Sequence, residues 1–284
     1  MSTSHNTLLE VASLSMRFSR KFLADYSHAK SPKKFTQAQL MSCLILKTYL
    51  NTTYRGVIDI LDASDKLQKR LGLEYLPHYS TLKYFADRSD TLEIVDAILA
   101  EVVKEYGGSV EEVSIDSTGL ETTSASAHFK TRSGKRRKKY VKLSLCVLAG
   151  TMLPAGLVVS WGPYNDKREA PALFEKVQPV IQPQRLFADA GYDAEWVHEF
   201  CRDGWSVESF IPPAVHRKDG GVNGKYRSQM TNKLLKENGF GRRWLVESFM
   251  SGLKRTMGSA LRSRTEPSLF VEAGLRVLAY AFRL

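Results

Sequence analysis

The chain has 284 residues, 43% hydrophobic and 25% charged, the make-up of a folded globular chain of about two domains rather than a disordered one. Lys and Arg number 41 against 30 Asp and Glu, and the formal charge of +11 favours a polyanionic partner. No apolar run reaches the ~18 to 20 residues that span a bilayer, no signal-peptide core is present and no basic amphipathic helix offers a membrane anchor, so the expectation is a cytoplasmic, nucleoid-associated location with nucleic acid as partner and no membrane. Cys43, Cys146 and Cys201 have no paired spacing, which excludes a zinc ribbon or disulfide framework and leaves them as buried thiols.

In chain order, residues 1–109 are predicted to be mainly helical. Leu8, Val11, Leu14 and Phe18 form one apolar face, and a second run follows at Leu40, Cys43, Leu44 and 46–50. Residues 78–90 (HYSTLKYFADRSD) predict a short helix capped by Ser80 or Thr81, with Leu82 and Phe85 inward and Lys83, Tyr84 and Arg88 outward. It is either a DNA-reading element or an ordinary solvated face of a bundle. Residues 91–106 give a further helix, and Gly107-Gly108 a boundary.

Beyond it the pattern turns β-rich. Residues 112–117 (EVSIDS) alternate and predict a strand that stops at Thr118-Gly119 and delivers Asp116 to its end. Residues 141–149 and 153–161 complete an antiparallel meander. A helix at 170–177, a strand at 185–189 (RLFAD), a helix at 194–202, a strand at 206–211, a basic loop at 212–232 and a helix at 240–254 follow. That order is the order of a ribonuclease-H-like α/β fold with a mixed sheet, so the chain divides into a mainly helical domain (1–109) that holds the candidate DNA-reading helix and a ribonuclease-H-like domain (110–284).

Asp116 and Asp189 each follow a short apolar strand and precede a glycine. Two carboxylates held at neighbouring strand ends repel unless protonated or bridged by a cation, and oxygen ligands suit Mg²⁺ or Mn²⁺. On the helix 240–254 (FGRRWLVESFMSGLK), Arg243, Glu247 and Lys254 share one face, and Glu247 supplies a third carboxylate. Trp244, Leu245, Phe249 and Leu253 lie on the other and anchor it, with Trp205 and Trp244 read as core. Two ions held by three carboxylates can activate an attacking oxygen and stabilise a leaving one. Asp193 and Asp166 are rival carboxylates ranked lower, Asp193 as a helix N-cap and Asp166 because no strand aims it.

VSIDSTGL around Asp116, FADAGYD around Asp189 and F-x2-R-x3-E-x6-K over 240–254 resemble, in order and 73 then 58 residues apart, the three signature segments of insertion-sequence DDE transposases. Phe240 stands where that family's Y-x2-R-x3-E-x6-K signature has tyrosine, which keeps the ring and removes a hydroxyl. The resemblance implies a DNA transposase that cleaves element ends and joins the 3′ ends to target DNA. It implies Asp116, Asp189 and Glu247 as catalytic ligands of two Mg²⁺ or Mn²⁺ ions, and Arg243 and Lys254 as phosphate contacts. Its partners would be terminal inverted repeats and target DNA, bound by a homodimer or larger assembly.

Residues 128–142 carry eight cations and no acid, among them Lys130, Arg132, Lys135, Arg136, Arg137, Lys138 and Lys139, and predict contact with the phosphate backbone. A second basic stretch with mobile glycines lies at 212–243. Two alternatives stay open: a metal-dependent nuclease that cuts without joining, and a non-catalytic DNA-binding protein of the same fold.

Overall fold

A computed structural model of the chain describes residues 6–122, 139–214 and 221–284. The chain forms two compact units, one from the residues up to Glu101 together with Ser263–Arg283, the other from Val102–Arg262.

The first unit is helical: α1 (Thr7–Phe22), α2 (Gln37–Tyr49), α3 (Tyr54–Asp62), α4 (Asp65–Leu71), α5 (Tyr79–Ala86) and the start of α6 (Thr91–Tyr106). The chain signals its own helix starts. The Asn6 side chain accepts from the Leu8 and Leu9 amides, and Thr36 and Gln39 cap each other reciprocally at α2. The α5 cap differs from the predicted one. It is His78, whose Nδ1 accepts from the Ser80 amide, a short-range acceptor that pre-empts both hydroxyls. Leu82 and Phe85 point inward as expected, while Arg88 is half-buried and paired with Asp90.

The second unit is a mixed α/β sheet with helices packed on it. Its elements are β1 (Glu112–Thr122), β2 (Tyr140–Leu148), β3 (Pro154–Gly162), α7 (Ala170–Val177), β4 (Arg185–Ala188), α8 (Glu195–Glu199), β5 (Glu208–Phe210), α9 (Asn232–Glu237), α10 (Trp244–Met257) and β6 (Ala260–Leu261). Strand order is β3-β2-β1-β4-β5, with β6 on β1. β1, β2 and β3 pair antiparallel, and β4 and β5 add in parallel, as the meander followed by helix-linked strands predicts. β2 is almost wholly buried, since α7 packs on β2 and β3 and α10 on β1 and β2. Each of its leucines and valines so removed from water contributes roughly 1.5–3 kcal/mol.

β1 does not stop at Thr118-Gly119. Gly119 pairs with Lys142, and a Cβ there would lie 2.8 Å from the Tyr140 ring, so this glycine admits a ring to the strand rather than turning the chain.

The last helix, α11 (Glu266–Ala281), lies in the first unit, where it packs on α2. The sequence reading kept these residues with the second domain. Twelve of the sixteen residues of α11 are buried, and a helix apolar on nearly all sides has to be surrounded by others.

Candidate active site

The register of β1 and β4 brings two aspartates together. Glu112–Ile115 pair in parallel with Arg185–Ala188, and Asp116 and Asp189 are the next residue on each strand. β1 then runs on, with β6 meeting it only at Glu121 and Thr122. Asp116 therefore lies within a strand rather than at its end, beside a gap in the sheet that β4 has left and β6 has not yet filled. The physical requirement, a carboxylate leaving the sheet next to a second one, is met by the end of the neighbouring strand.

Local hydrogen bonds orient both groups. Asp116 Oδ1 accepts from the Ser117 amide at 2.7 Å, and Asp189 Oδ1 from the Gly191 amide at 2.8 Å. Behind them, Tyr192 is fully buried and its hydroxyl hydrogen-bonds Ser117 Oγ at 2.8 Å, which in turn bonds Ser144 Oγ at 2.7 Å. This fixes the turn after β4 against β1 and β2. Burial, and then the negative charges of Asp189 and Asp166, push the Asp116 carboxyl up to about 6, against the Ser117 amide and Arg243, which hold it down. Asp189 is raised by burial and by Asp166, again opposed by its backbone hydrogen bonds and Arg243.

The third carboxylate comes from α10. A 3₁₀ turn, Phe240–Arg243, leads into this helix and docks through the Phe240 ring, which meets Phe187 of β4 edge-on at 6.4 Å. Phe187 belongs to a cluster with Phe210, Met230 and Leu235, against which Phe240 and Leu234 pack. Phe240 thus performs the packing half of a tyrosine's work. The buried side of α10 is Val246, Phe249, Met250, Leu253 and Met257; Trp244 is 58% exposed, so the expectation that it is core is corrected, while Trp205 is buried as expected. Trp244 is the first residue of the helix, and the buried side starts two residues later at Val246.

Arg243 joins the first and third carboxylates. Its Nη1 donates to Asp116 Oδ2 at 3.3 Å and its Nη2 to Glu247 Oε1. Glu247 itself is half-exposed. Lys254, ten residues and nearly three turns along α10 from Trp244, is partly buried; burial lowers its affinity for a proton and Glu121 raises it. Among the described residues no group of three or more His, Cys, Asp and Glu is arranged to hold a metal ion. The donor set nevertheless suits a divalent cation in part: Asp116 and Asp189 are oxygen donors, the charge of Asp189 raises the proton affinity of Asp116, and Glu247 lies one guanidinium away from Asp116.

Two rival carboxylates have explicit partners. Asp193 is not a helix cap. α8 is capped by Ala194 without a side-chain bond, and the buried Asp193 carboxylate instead takes both Nε and Nη2 of Arg227 at 2.6 Å and the Ala214 amide at 2.7 Å. Glu195 receives the amides of Tyr226 and Arg227, and Gly224 is needed there, since its φ is +121° and a Cβ would collide with the Glu195 carboxylate. The described part of the second basic stretch is thereby tied to α8 and the turn before it.

Asp166, the other carboxylate ranked lower in the sequence reading, stands close to the two aspartates. It opens a 3₁₀ turn, Asp166–Arg168, and adds to the negative potential at both Asp116 and Asp189. What aims it is Lys142 of β2, which the sequence reading counted with the phosphate-facing cations and which the structure buries to 2%. The available signal was a lone lysine inside the apolar strand YVKLSLCVL, a charge that must find an acidic partner. Lys139 is exposed over the Trp161 ring at 3.9 Å. Lys130, Arg132, Lys135, Arg136, Arg137 and Lys138 lie outside the described residues.

A carboxylate-centred site on a mixed α/β sheet is the class of centre these residues form. The family model of the transposase DDE domain matches residues 110–282, well over half of the chain, and the chain belongs to that family: it is a transposase of the DDE type. Among solved structures it is similar to a piggyBac transposase, described as a synaptic complex with hairpin DNA studied by electron cryo-microscopy, at 9% identity and a TM-score of 0.49, covering 98% of this chain and 72% of that one. No curated protein matches it. No helix among the described residues is long and apolar enough to cross a membrane.

Proposed function

We propose that this transposase cuts DNA at the ends of its own element and joins the freed 3′ ends to a target, using a ribonuclease-H-like unit whose centre is Asp116, Asp189 and Glu247. The observation that carries the reading is the parallel register of β1 and β4, which makes two strand-borne aspartates neighbours, together with the guanidinium of Arg243 linking the first of them to Glu247. Two Mg²⁺ or Mn²⁺ ions bound there would lower the proton affinity of an attacking oxygen and stabilise the leaving oxygen of a phosphodiester.

The chain's own residues do the rest. Asp116 and Asp189 supply hard oxygen donors whose mutual repulsion a cation relieves. The Ser117 and Gly191 amides fix their orientation, and Tyr192 keeps the floor of the site rigid. Arg243 and Lys254 bind phosphate oxygens beside the cut through charge-assisted hydrogen bonds. Arg243, engaged with two carboxylates, would exchange one of these contacts for phosphate. The helical unit recognises the terminal inverted repeats, and the basic residues from Lys130 to Lys139 follow the DNA backbone. Two element ends must meet, so the working form is a homodimer or larger assembly on DNA, in the cytoplasm and on the nucleoid.

Incubation of the full chain with Mg²⁺ and labelled DNA carrying the true element ends, beside an EDTA control, tests this. Nicking and joining are expected with metal alone. Nicking without joining favours the nuclease alternative, and neither product overturns the catalytic reading. Glu247→Gln is expected to bind the ends normally and cut them at least a hundredfold more slowly; full cleavage by this variant removes Glu247 from the centre.

A further inference from the structure

Lys142 is the most deeply buried cation near the site, and all three of its ammonium hydrogens are committed. It reaches Asp166 Oδ1 at 2.8 Å, Glu169 Oε2 at 2.9 Å and the Tyr164 carbonyl at 2.9 Å. Glu169 is 6% exposed and its other oxygen accepts from the Ser160 hydroxyl at 3.0 Å. Burial works against the lysine's charge, but its two acidic partners outweigh it and hold its pKa above the ordinary value. One buried carboxylate already balances one buried ammonium. Asp166 is a second acid on the same cation, and its side chain is 30% exposed.

The free side of Asp166 faces the centre. A Cβ built on Gly191 would lie 2.7 Å from Asp166 Oδ2 and 2.9 Å from Asp189 Oδ1, so the two carboxylates flank a single point over a residue that has no side chain. Asp166 is thus gripped through one oxygen by a cation fixed inside the sheet and presents the other beside Asp189. Repulsion alone would drive a carboxylate on a surface turn away from two others; the lysine holds it.

We propose that Asp166 is a further carboxylate of the cation-binding centre and that Lys142, acting through it, is its positioning residue. This rests on the reading of Asp116 and Asp189 as cation ligands. Lys142 sets where Asp166 stands, and Glu169 with Ser160 sets where Lys142 stands. The result is a chain of contacts from the interior of β2 to the centre.

The test is Mn²⁺ binding to the full chain without DNA, followed by electron paramagnetic resonance of the free ion, with circular dichroism as the check on folding. Asp166→Asn is expected to weaken Mn²⁺ binding about 10- to 100-fold, the scale of a lost supporting group. Lys142→Met is expected to do the same. Because that change strands two acids, it is paired with a Lys142→Met/Glu169→Gln double variant that removes one of them. Asp189→Asn is the reference. If it weakens Mn²⁺ binding and a folded Asp166→Asn protein does not, Asp166 belongs to a structural ion pair and the proposal is overturned while the site stands. If Asp189→Asn binds Mn²⁺ as the wild type does, the underlying reading of the site falls and this proposal with it. A folded double variant with wild-type affinity removes Lys142 from the positioning role.

Discussion

Asp116→Asn is expected to make the metal-free protein more stable at neutral pH. Asp116 has its side chain 15% exposed, and its carboxyl is raised from the ordinary 3.8 to about 6. A raised acid binds its proton more tightly in the folded state, so ionising it costs folding free energy. At about 1.36 kcal/mol for each tenfold change in proton affinity, the cost is about 3 kcal/mol at most. It is absent below pH 3.8, grows between pH 3.8 and 6, and is complete above 6. Asparagine keeps the size and never ionises, but it gives up the attraction of Arg243, so a net gain of about 1–2 kcal/mol at pH 8 is expected, vanishing at pH 4. All four tryptophans lie in the second unit, so urea denaturation followed by tryptophan fluorescence in EDTA reports on the unit that holds Asp116. Mg²⁺ or Mn²⁺ should stabilise the wild type and narrow the difference. A variant less stable than wild type at pH 8, or a difference equal at pH 4 and pH 8, would refute the reasoning.

Three further outcomes are expected. Gly191→Ala places a methyl group within 3 Å of oxygens of both Asp166 and Asp189 and should lower Mn²⁺ affinity and cleavage at least tenfold with little change in the urea midpoint, whereas unchanged Mn²⁺ binding would show that the carboxylates do not need that space. Arg227→Ala strips the partner from a carboxylate with no exposed side-chain surface and should cost about 3–5 kcal/mol in the same urea experiment; a cost under about 1 kcal/mol would mean that the Ala214 amide suffices. Burial pushes the thiols of Cys43 and Cys201 up to about 12 and that of Cys146 higher still, so iodoacetamide at pH 8 should label none of them before denaturation, as mass spectrometry would read.

Much of this was legible in the amino-acid order because it depends on short-range patterns. The alternation around Val113 and Ile115 gives β1, the buried run at 185–188 gives β4, and the carboxylates that follow Ile115 and Ala188 give two arms of the candidate site. The helix around Glu247 follows from its apolar face. Other features depend on distant partners. Gly119 looks like a turn until the Tyr140 ring is found against it. Asp193 looks like a cap until Arg227, 34 residues later, takes its oxygens. Lys142 sits in a run of cations, and only its place in the interior of the sheet separates it from the rest. Asp166 had no local signal because its cationic partner, Lys142, lies 24 residues earlier on β2. Trp244 was assigned to the core from its helical phase, but the buried side of the helix starts at Val246 and leaves Trp244, its first residue, outside.

The return of α11 to the helical unit has a consequence for how the protein is made. α11 is one of the two most buried helices of that unit, yet a ribosome delivers it after the whole of the second unit has been translated. The nascent chain therefore carries five complete helices and the start of a sixth with an uncovered apolar surface on α2 while β1 to β6 are being synthesised. The second unit, continuous in the chain, can close first, and the helical one waits for translation to reach residue 281.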